Sequence, residues 1–240
     1  SKAIELNGVA IDLNKSAFAW GRRAVLDMEA VRAAAESTAV ERDMPATLAE
    51  IVAHRSRELT AYQNTAYASR YQALVETVRQ AEADKAPGMS GLAEAVARYG
   101  YKLMAYKDEY EVARLYTDGR FEHQLRNAFQ GDFVPKFHLA PPILTKLNPE
   151  TGLRDKRTYG AWIFGAMRVL AKLKGLRGTA FDFCGWSDER RMERRLAADY
   201  ETTMREIAEG LNHDNHALAL QIANVPERIR GYGHVKEKYL

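Results

Sequence analysis

The residues of this sequence that most suggest chemistry lie in its last segment, RGYGHVK, over residues 230–236. Two glycines one residue apart let successive backbone amides point in one direction as an anion nest, and the basic side chains add charge. We therefore name Arg230, Gly231, Gly233 and Lys236 as candidate ligands for a phosphate or for the nucleotide part of coenzyme A. Such segments are also common as plain turns, and neither a preceding strand nor a following helix is evident, as a dinucleotide fingerprint requires. In either case we expect the segment to be ordered.

The histidines give two further candidates. His213 and His216 flank Asp214 and could face one metal ion from a helix, although the same pattern arises where an acidic residue begins a helix and the histidines are exposed. The sequence offers no third ligand at a recognised spacing, so we predict no metal site. His138 lies in the apolar run FHLAPP. There a buried imidazole usually bonds to a backbone carbonyl, so we predict a structural role for it.

Cys184 is the only cysteine, and it lies between aromatic residues in the run FDFCGW. A single cysteine excludes an internal disulfide, a CxxC redox pair and a cluster ligated wholly by this chain. Burial among aromatic rings would raise the pKa of the thiol and make it inert. A small hydrolase that uses Cys184 or His138 is the least favoured hypothesis, because no protease-like signature surrounds either residue. We predict no catalytic residue.

Composition limits the class of protein. The 240 residues are 46% hydrophobic and 28% charged, which is ordinary for one or two globular domains. The 35 basic and 32 acidic residues nearly balance, and the paired arginines at 190–191 and 194–195 alternate with acids as on a solvated helix face. Nucleic-acid binding is therefore not expected. The apolar runs are too short for a membrane, and the first residues lack a signal-peptide layout, so we predict a soluble, cytoplasmic protein.

Helices must position most of these residues. Pro45 and the T-x-x-E spacing at Thr47 predict a helix start, followed by an apolar stripe that runs to Pro87. A second stripe alternates four and three residues apart and predicts a packing seam. Its members are Leu92, Val96, Tyr99, Leu103, Tyr106, Tyr110 and Ala113. Because the connection at residues 87–90 is short, these two helices should form an antiparallel hairpin.

The rest of the chain is predicted as follows. Residues 4–13 read as a short strand or turn before a helix, and residues 28–36 as an alanine-rich helix. Prolines hold residues 134–143 extended. An apolar run at 159–173 predicts a buried helix whose basic last turn, with Lys172, Lys174 and Arg177, suits the negative end of the helix dipole. Ser187 is a good N-cap for a third long helix, and a last helix should end near Asn224. The fold class is mainly α, with an irregular proline-containing extended segment.

Several motifs resemble the C-terminal domain of the fused-chain indolepyruvate ferredoxin oxidoreductases. They are FHLAPP, the K-x-x-Y-G-x-W of Lys156, Tyr159, Gly160 and Trp162, the L-K-x-L-R-G-T of residues 173–179, and the R-G-x-G-H-V-K of residues 230–236. Residues 61–75 resemble a long helix early in that domain. Residues 3–22 resemble the last part of the gamma-type domain that precedes it. The resemblance covers nearly the whole chain.

The resemblance implies that residues 1–43 are the end of a gamma-type domain with a linker, and that residues 44–240 are a helical domain of unassigned function. The parent enzyme oxidatively decarboxylates indolepyruvate and related aryl 2-oxo acids to acyl-coenzyme A and passes electrons to ferredoxin. Its thiamine diphosphate and iron–sulfur sites belong to other domains, so we expect no cofactor in this chain. Its expected partners are the remaining domains or a second copy.

Two functional hypotheses follow from the sequence. The first is a structural or assembly domain of this oxidoreductase, of which the 240 residues are an excised piece that is not catalytic alone. The second is a stand-alone helical binding or assembly module with no catalytic activity.

Overall fold

The computed structural model describes residues 2–8, 10–38, 47–129, 131, 134–140, 145, 155 and 157–229. Across these residues the chain forms eleven α-helices, two short 3₁₀ helices and one two-stranded sheet. The mainly-α class predicted from the sequence is confirmed. The chain divides into two compact units, Ser1–Met44 and Pro45–Leu240. No helix in the described ranges is long and apolar enough to cross a membrane.

The first unit contains helices α1 (Lys2–Asn7), α2 (Ile11–Leu26) and α3 (Met28–Thr38). Of the two alternatives predicted for residues 4–13, the strand is therefore wrong, and the turn is limited to the connection between α1 and α2. Gly8, with a φ of 69°, lies between the first two helices and provides the turn that separates them. The helix predicted at residues 28–36 is confirmed, and its start is capped by Asp27, whose Oδ1 accepts from the Ala30 amide at 2.9 Å.

The core of the second unit is built by helices α4 (Leu48–Tyr62), α5 (Thr65–Lys85), α6 (Leu92–Met104), α10 (Asp188–Gly210) and α11 (His216–Ala223). The predicted capping box is present, since Thr47 and Glu50 each accept the backbone amide of the other. The first predicted helix is broken, however. Asn64 accepts from the Tyr67 amide at 2.9 Å and starts α5 anew, because an Asn side chain competes well for free helix-start amides.

The predicted hairpin corresponds to α5 and α6, which pack along each other across the connection at residues 86–91. Its largest fully buried side chains include Tyr71, Leu74, Val78, Leu92 and Val96. The second stripe does not continue as one helix to Ala113. It ends at Met104, and Asp108 then caps helix α7 (Glu109–Thr117) through the Glu111 amide at 2.8 Å.

The tyrosines of this core use their hydroxyl groups inside the protein and not at its surface. Tyr71 donates to the Ala97 carbonyl at 2.9 Å, and Tyr200 donates to the Ala223 carbonyl at 2.9 Å. Tyr62 likewise donates to the Tyr106 carbonyl at 3.0 Å. Each tyrosine therefore buries its ring and satisfies its hydroxyl group by donating to a backbone carbonyl.

A smaller core joins α7 to the segment that carries the prolines. Helix α8 (Arg120–Ala128) follows α7, strands β1 (Phe137–Leu139) and β2 (Arg157–Tyr159) pair antiparallel, and helix α9 (Ile163–Lys172) follows β2. The predicted extended segment is thus confirmed at 137–139, while residues 141–144 lie outside the described part. The helix predicted at residues 159–173 begins later and is only partly buried. Trp162 and Val169 are 66% and 61% exposed.

Leu103→Ala tests the helix seam. Leu103 is 4% exposed and belongs to the main core, so truncation removes buried apolar surface and leaves a cavity. The free energy of unfolding should fall by about 2 to 5 kcal/mol in urea denaturation. Leu115→Ala is the matched control, because Leu115 is 45% exposed and should change stability little. Equal effects of the two variants would contradict the assignment of the seam.

Candidate functional site

The candidate anion ligands Arg230, Gly231, Gly233 and Lys236 lie outside the described residues. Anion binding by them therefore stays a prediction. The other candidate site residues considered from the sequence, His138, Cys184, His213, Asp214 and His216, all lie within the described part of the chain.

The side chains of His213 and His216 do not converge on a common position, as two ligands of one metal ion would. His213 is exposed in the turn before α11, whereas His216 is 2% exposed and lies 2.8 Å from Oε1 of Glu82 through its Nε2. Neither alternative drawn from the sequence is correct for His216, because its partner comes from α5 and not from its own helix. Among the described residues no three His, Cys, Asp or Glu side chains are grouped to hold a metal ion.

Glu82 also caps a helix from a distance. Its two carboxylate oxygens accept from the amides of Leu92 and Ala93 at 2.8 and 3.0 Å, at the start of α6. The residue before α6 is Gly91, which has a φ of 103° and no side chain to serve as a cap. Nearby, Lys85 donates to the carbonyls of Ala208 and Glu209 at the end of α10. Glu82, Lys85 and His216 thus join four helix ends: the end of α5, the start of α6, the end of α10 and the start of α11.

His138 is exposed on β1, and its Nδ1 lies 3.1 Å from the Thr158 hydroxyl on β2. The predicted burial with a bond to a backbone carbonyl is therefore wrong. The side chains of a short two-stranded sheet alternate between faces, and at this register Phe137 takes the buried face while His138 takes the open one.

The described ionisable groups concentrate elsewhere, in what we call the buried ionic network. It joins the start of α7, the loop 177–186 and the first turns of α10. Its members are Asp108, Glu109, Tyr110, Arg177, Asp182, Cys184, Arg190, Glu193 and Arg194. Most of these side chains are buried, so their charges must be compensated by one another.

Arg177 is the centre of one half of the network. Its Nε and Nη2 donate to the two carboxylate oxygens of Asp108 at 2.5 and 2.9 Å, and its Nη1 donates to the Tyr62 carbonyl at 2.6 Å. The guanidinium also lies 3.6 Å from the centroid of the Tyr62 ring. Burial alone would lower the pKa of Arg177, but Asp108 together with the neighbouring Tyr62 and Tyr106 outweighs burial and raises that pKa. The group therefore stays charged and fully bonded.

The sequence predicted that the basic residues after α9 complement the dipole of their own helix, but they do not. Lys174 donates to the carbonyls of Ala61 and Thr60 at 2.5 and 3.4 Å, and Arg177 donates to that of Tyr62. These are the last carbonyls of α4. The cations therefore complement the negative end of a different helix.

Asp182 is the centre of the other half of the buried ionic network. It accepts from the Gly178 amide at 2.7 Å and from the Tyr110 hydroxyl at 3.1 Å, and it lies 3.4 Å from Nη1 of Arg194. Gly185 packs against this carboxylate so closely that an added Cβ would lie 2.1 Å from Oδ2 of Asp182. Only glycine fits there without displacing the carboxylate from its partners.

Arg190 lies among carboxylates at the start of α10. Its Nη1 donates to Glu193 at 2.7 Å, and its Nη2 lies 3.5 Å from Glu109. Burial raises the pKa of Glu109, although Arg190 opposes the shift. The arginines at 190 and 194 are thus network members, and the solvated face predicted from the sequence is wrong for them. Only Arg191 and Arg195 are exposed as predicted.

Cys184 is buried against Tyr110, as its aromatic neighbours predicted. Burial and, next, the Glu109 carboxylate raise the pKa of the thiol from 9.0 to about 12. Burial also raises the pKa of the Tyr110 hydroxyl, with Cys184 and Asp182 adding to the shift. Neither group is set up as a nucleophile at neutral pH, because both are held in their neutral forms. The network positions loops and helix ends.

Arg177→Met tests the network. It removes the cation and leaves the Asp108 carboxylate buried without its partner, so the free energy of unfolding should fall by about 3 to 5 kcal/mol in urea denaturation. Adding Asp108→Asn should recover part of the loss. The control is Arg98→Met, which breaks an exposed pair with Glu94 and should change little. A loss for Arg177→Met no larger than for the control would contradict the assigned role.

Cys184 provides a second test. At pH 8 the thiol of the folded chain should react with a disulfide reagent at least about a hundredfold more slowly than that of the urea-unfolded chain, because burial limits access and the raised pKa leaves little thiolate. The measurement is the absorbance of the released thiolate over time. Similar rates in the two states would show that the thiol is accessible.

Comparison with known proteins places the chain in a family. A model of a protein family whose function is unknown, DUF6537, matches residues 48–240. No curated protein matches the chain, and no solved structure does. The match covers the whole helical unit from the first residue of α4. The chain therefore belongs to the DUF6537 family.

Proposed function

We propose that this chain is a structural or assembly domain of an indolepyruvate, or aryl 2-oxo acid, ferredoxin oxidoreductase. The sequence motifs support the parent enzyme, since four of them match its C-terminal domain in order and spacing. In this proposal the thiamine diphosphate and the iron–sulfur clusters are held by other domains, where they supply carbanion and electron-transfer chemistry. The chain acts in the cytoplasm with the rest of the enzyme, and ferredoxin is the electron acceptor of the whole.

The observation that carries the assembly role is the apolar surface of α2. Every side chain of this 16-residue helix is exposed or half-buried. Its large apolar residues Leu13, Phe18, Trp20, Val25 and Leu26 are 43% to 88% exposed. Several large apolar side chains on one short helix are costly to leave in water and mark a surface that binds another protein.

The buried ionic network also supports the assembly role, because it makes the domain rigid. Its arginines and carboxylates hold the end of α4, the start of α7 and the start of α10 in place. Its thiol is kept protonated by its surroundings. These groups are used for rigidity, which suits a domain that presents a fixed surface to partners.

The alternative is a stand-alone helical binding or assembly module. The exposed apolar surface of α2 is compatible with both functions, because it requires a partner without specifying that the partner is an oxidoreductase. The two differ in whether the remaining domains of the enzyme bind this chain.

The test mixes the purified chain with the remaining oxidoreductase domains. The isolated chain should be colourless, bind no thiamine diphosphate and reduce no dye with indolepyruvate, since this chemistry needs a cluster and a thiazolium. Added domains should bind it, as measured by calorimetry. Activity of the isolated chain would overturn the proposal, and failure of the domains to bind would favour the stand-alone module.

The α2 surface is tested in the same assay with Phe18→Ser combined with Trp20→Ser. Loss of these exposed apolar groups should weaken binding of the remaining domains by at least about tenfold. Arg22→Ser, an exposed polar change on the same helix, is the control and should bind as the unaltered chain does. Unchanged binding by the double variant would exclude α2 as the surface.

A further inference from the structure

A groove with a volume of about 380 Å³ runs along one side of strand β1. One wall is the chain over residues 134–139, which contains β1. The opposite wall is formed by α7, by α8 and by the residue that follows α8. Its side chains are aromatic or apolar, namely Tyr116, Phe121, Leu125 and Phe129. We call this feature the β1 groove.

The β1 groove lies at the edge of β1 that is turned away from β2. Side chains of a strand alternate between its two faces, so a cavity lined by six successive residues must follow an edge of the strand. One edge is taken by β2, whose Thr158 is registered with His138, and none of the lining residues belongs to β2. In the described part of the chain the sheet has two strands, so the groove edge of β1 has no further strand beside it.

This edge offers backbone hydrogen bonds to a partner. In a strand the N–H and C=O groups of successive residues point to opposite edges, so those of β1 that do not face β2 point to the groove. Pro135 has no N–H, which leaves residues 136–139 to supply the donors. Because so short an edge makes few backbone bonds, an added strand must also bind through its side chains.

The apolar wall of the β1 groove is already packed to receive such side chains. Phe137 is 5% exposed, and the Tyr116 ring lies edge-on to the rings of Phe121 and Phe137, with the centroids 4.8 and 5.3 Å apart. Phe129 and Val134 leave 58% and 75% of their surface in solvent. A preformed aromatic wall beside exposed apolar side chains binds apolar groups at little cost in entropy.

The charge of the β1 groove defines the remaining side chains of its occupant. Its basic lining residues are Lys136 and His138, and no acidic side chain lines it in the part of the chain that the structure describes. Both basic residues are exposed, and alternation along β1 sets them on the face opposite Phe137. A strand added at this edge continues the pleat, so its side chains lie beside Phe137 and beside Lys136 in turn. Apolar residues suit the first face and acidic residues suit the second.

We propose that the β1 groove binds an extended segment of a partner protein, which alternates apolar and acidic residues and adds to the sheet as a further strand. Its backbone pairs with the free edge of β1, its apolar side chains enter the groove, and its acidic side chains meet Lys136. The site uses no residue of α2 and so goes beyond the assembly role proposed above. Either proposal can fail while the other stands, because the groove requires a segment of stated chemistry and no particular enzyme.

The experiment uses the full chain and a labelled, acetylated peptide that alternates valine and glutamate over about seven residues, a common strand length. Fluorescence anisotropy should show saturable binding with a dissociation constant between about 1 and 100 µM, as expected for a short segment. Lysine in place of glutamate should weaken binding at least about tenfold, because the lysine peptide sets like charges against Lys136. The same residues arranged as a block of valines and a block of glutamates should weaken it as much, because the alternation is lost.

Two methylated peptides test the backbone pairing. Methylation of the backbone nitrogens of the valines removes the donors of one edge of the peptide, and methylation of those of the glutamates removes the donors of the other edge. Only one edge pairs with β1. One of the two methylated peptides should therefore bind at least about tenfold more weakly than the other.

Variants of the chain test both faces of the site. Lys136→Glu should weaken binding of the glutamate peptide at least about tenfold and strengthen binding of the lysine peptide by a similar factor. Its control is Arg195→Glu, an equal change of charge at a side chain that is 82% exposed on α10. Phe129→Ser should also weaken binding of the glutamate peptide at least about tenfold. Its control is Phe181→Ser, because Phe181 is 76% exposed and does not line the groove. Circular dichroism checks that each variant is folded.

The proposal is overturned if the glutamate peptide does not bind the unaltered chain at about 500 µM. It is also overturned if the folded variants Lys136→Glu and Phe129→Ser bind that peptide as their controls do. Equal binding of the two methylated peptides would contradict it as well, because strand pairing would then contribute nothing.

Discussion

The arrangement of the helical unit depends on the buried ion pair between Arg177 and Asp108. Asp108 also caps α7, and Arg177 also binds the last carbonyl of α4 and stacks on the Tyr62 ring. One guanidinium therefore fixes the end of one helix, the start of a second and the loop that leads to α10. Because both groups are almost fully buried, neither is tolerated in this core without the other.

This constraint links rigidity to the surface of the protein. Past Arg177 the chain enters the loop that Asp182 and Arg194 hold, and that loop displays Phe181 and Trp186. The hydrogen bonds of the network thus fix a loop that lies at the surface of the protein. The motif L-K-x-L-R-G-T contains both the buried cation and Gly178, the glycine whose amide Asp182 binds. Two residues of this motif therefore have a structural role.

The local features of the fold could be predicted from the sequence. The capping box at Thr47, the N-cap at Ser187 and the seam residue Leu103 depend on neighbours within a few positions, so their spacing is visible in the chain. The network could not be predicted in this way. Asp108 and Arg177 are 69 residues apart, and Glu82 and His216 are 134 apart, so no periodicity joins them. From the sequence alone, a buried arginine cannot be distinguished from an exposed one, because the difference depends on a partner that is distant along the chain.

The bonds of Glu82 have a consequence for how the unit opens. Its carboxylate holds the start of α6 and the buried His216 at the start of α11, while Lys85, one turn away, holds the end of α10. The turn after α5 and the turn after α10 therefore form one cooperative element, because opening either one leaves a buried carboxylate without its donors. The amide hydrogens of Leu92 and Ala93, which at an ordinary helix start exchange freely with solvent, are therefore expected to be protected here by the stability of both turns together.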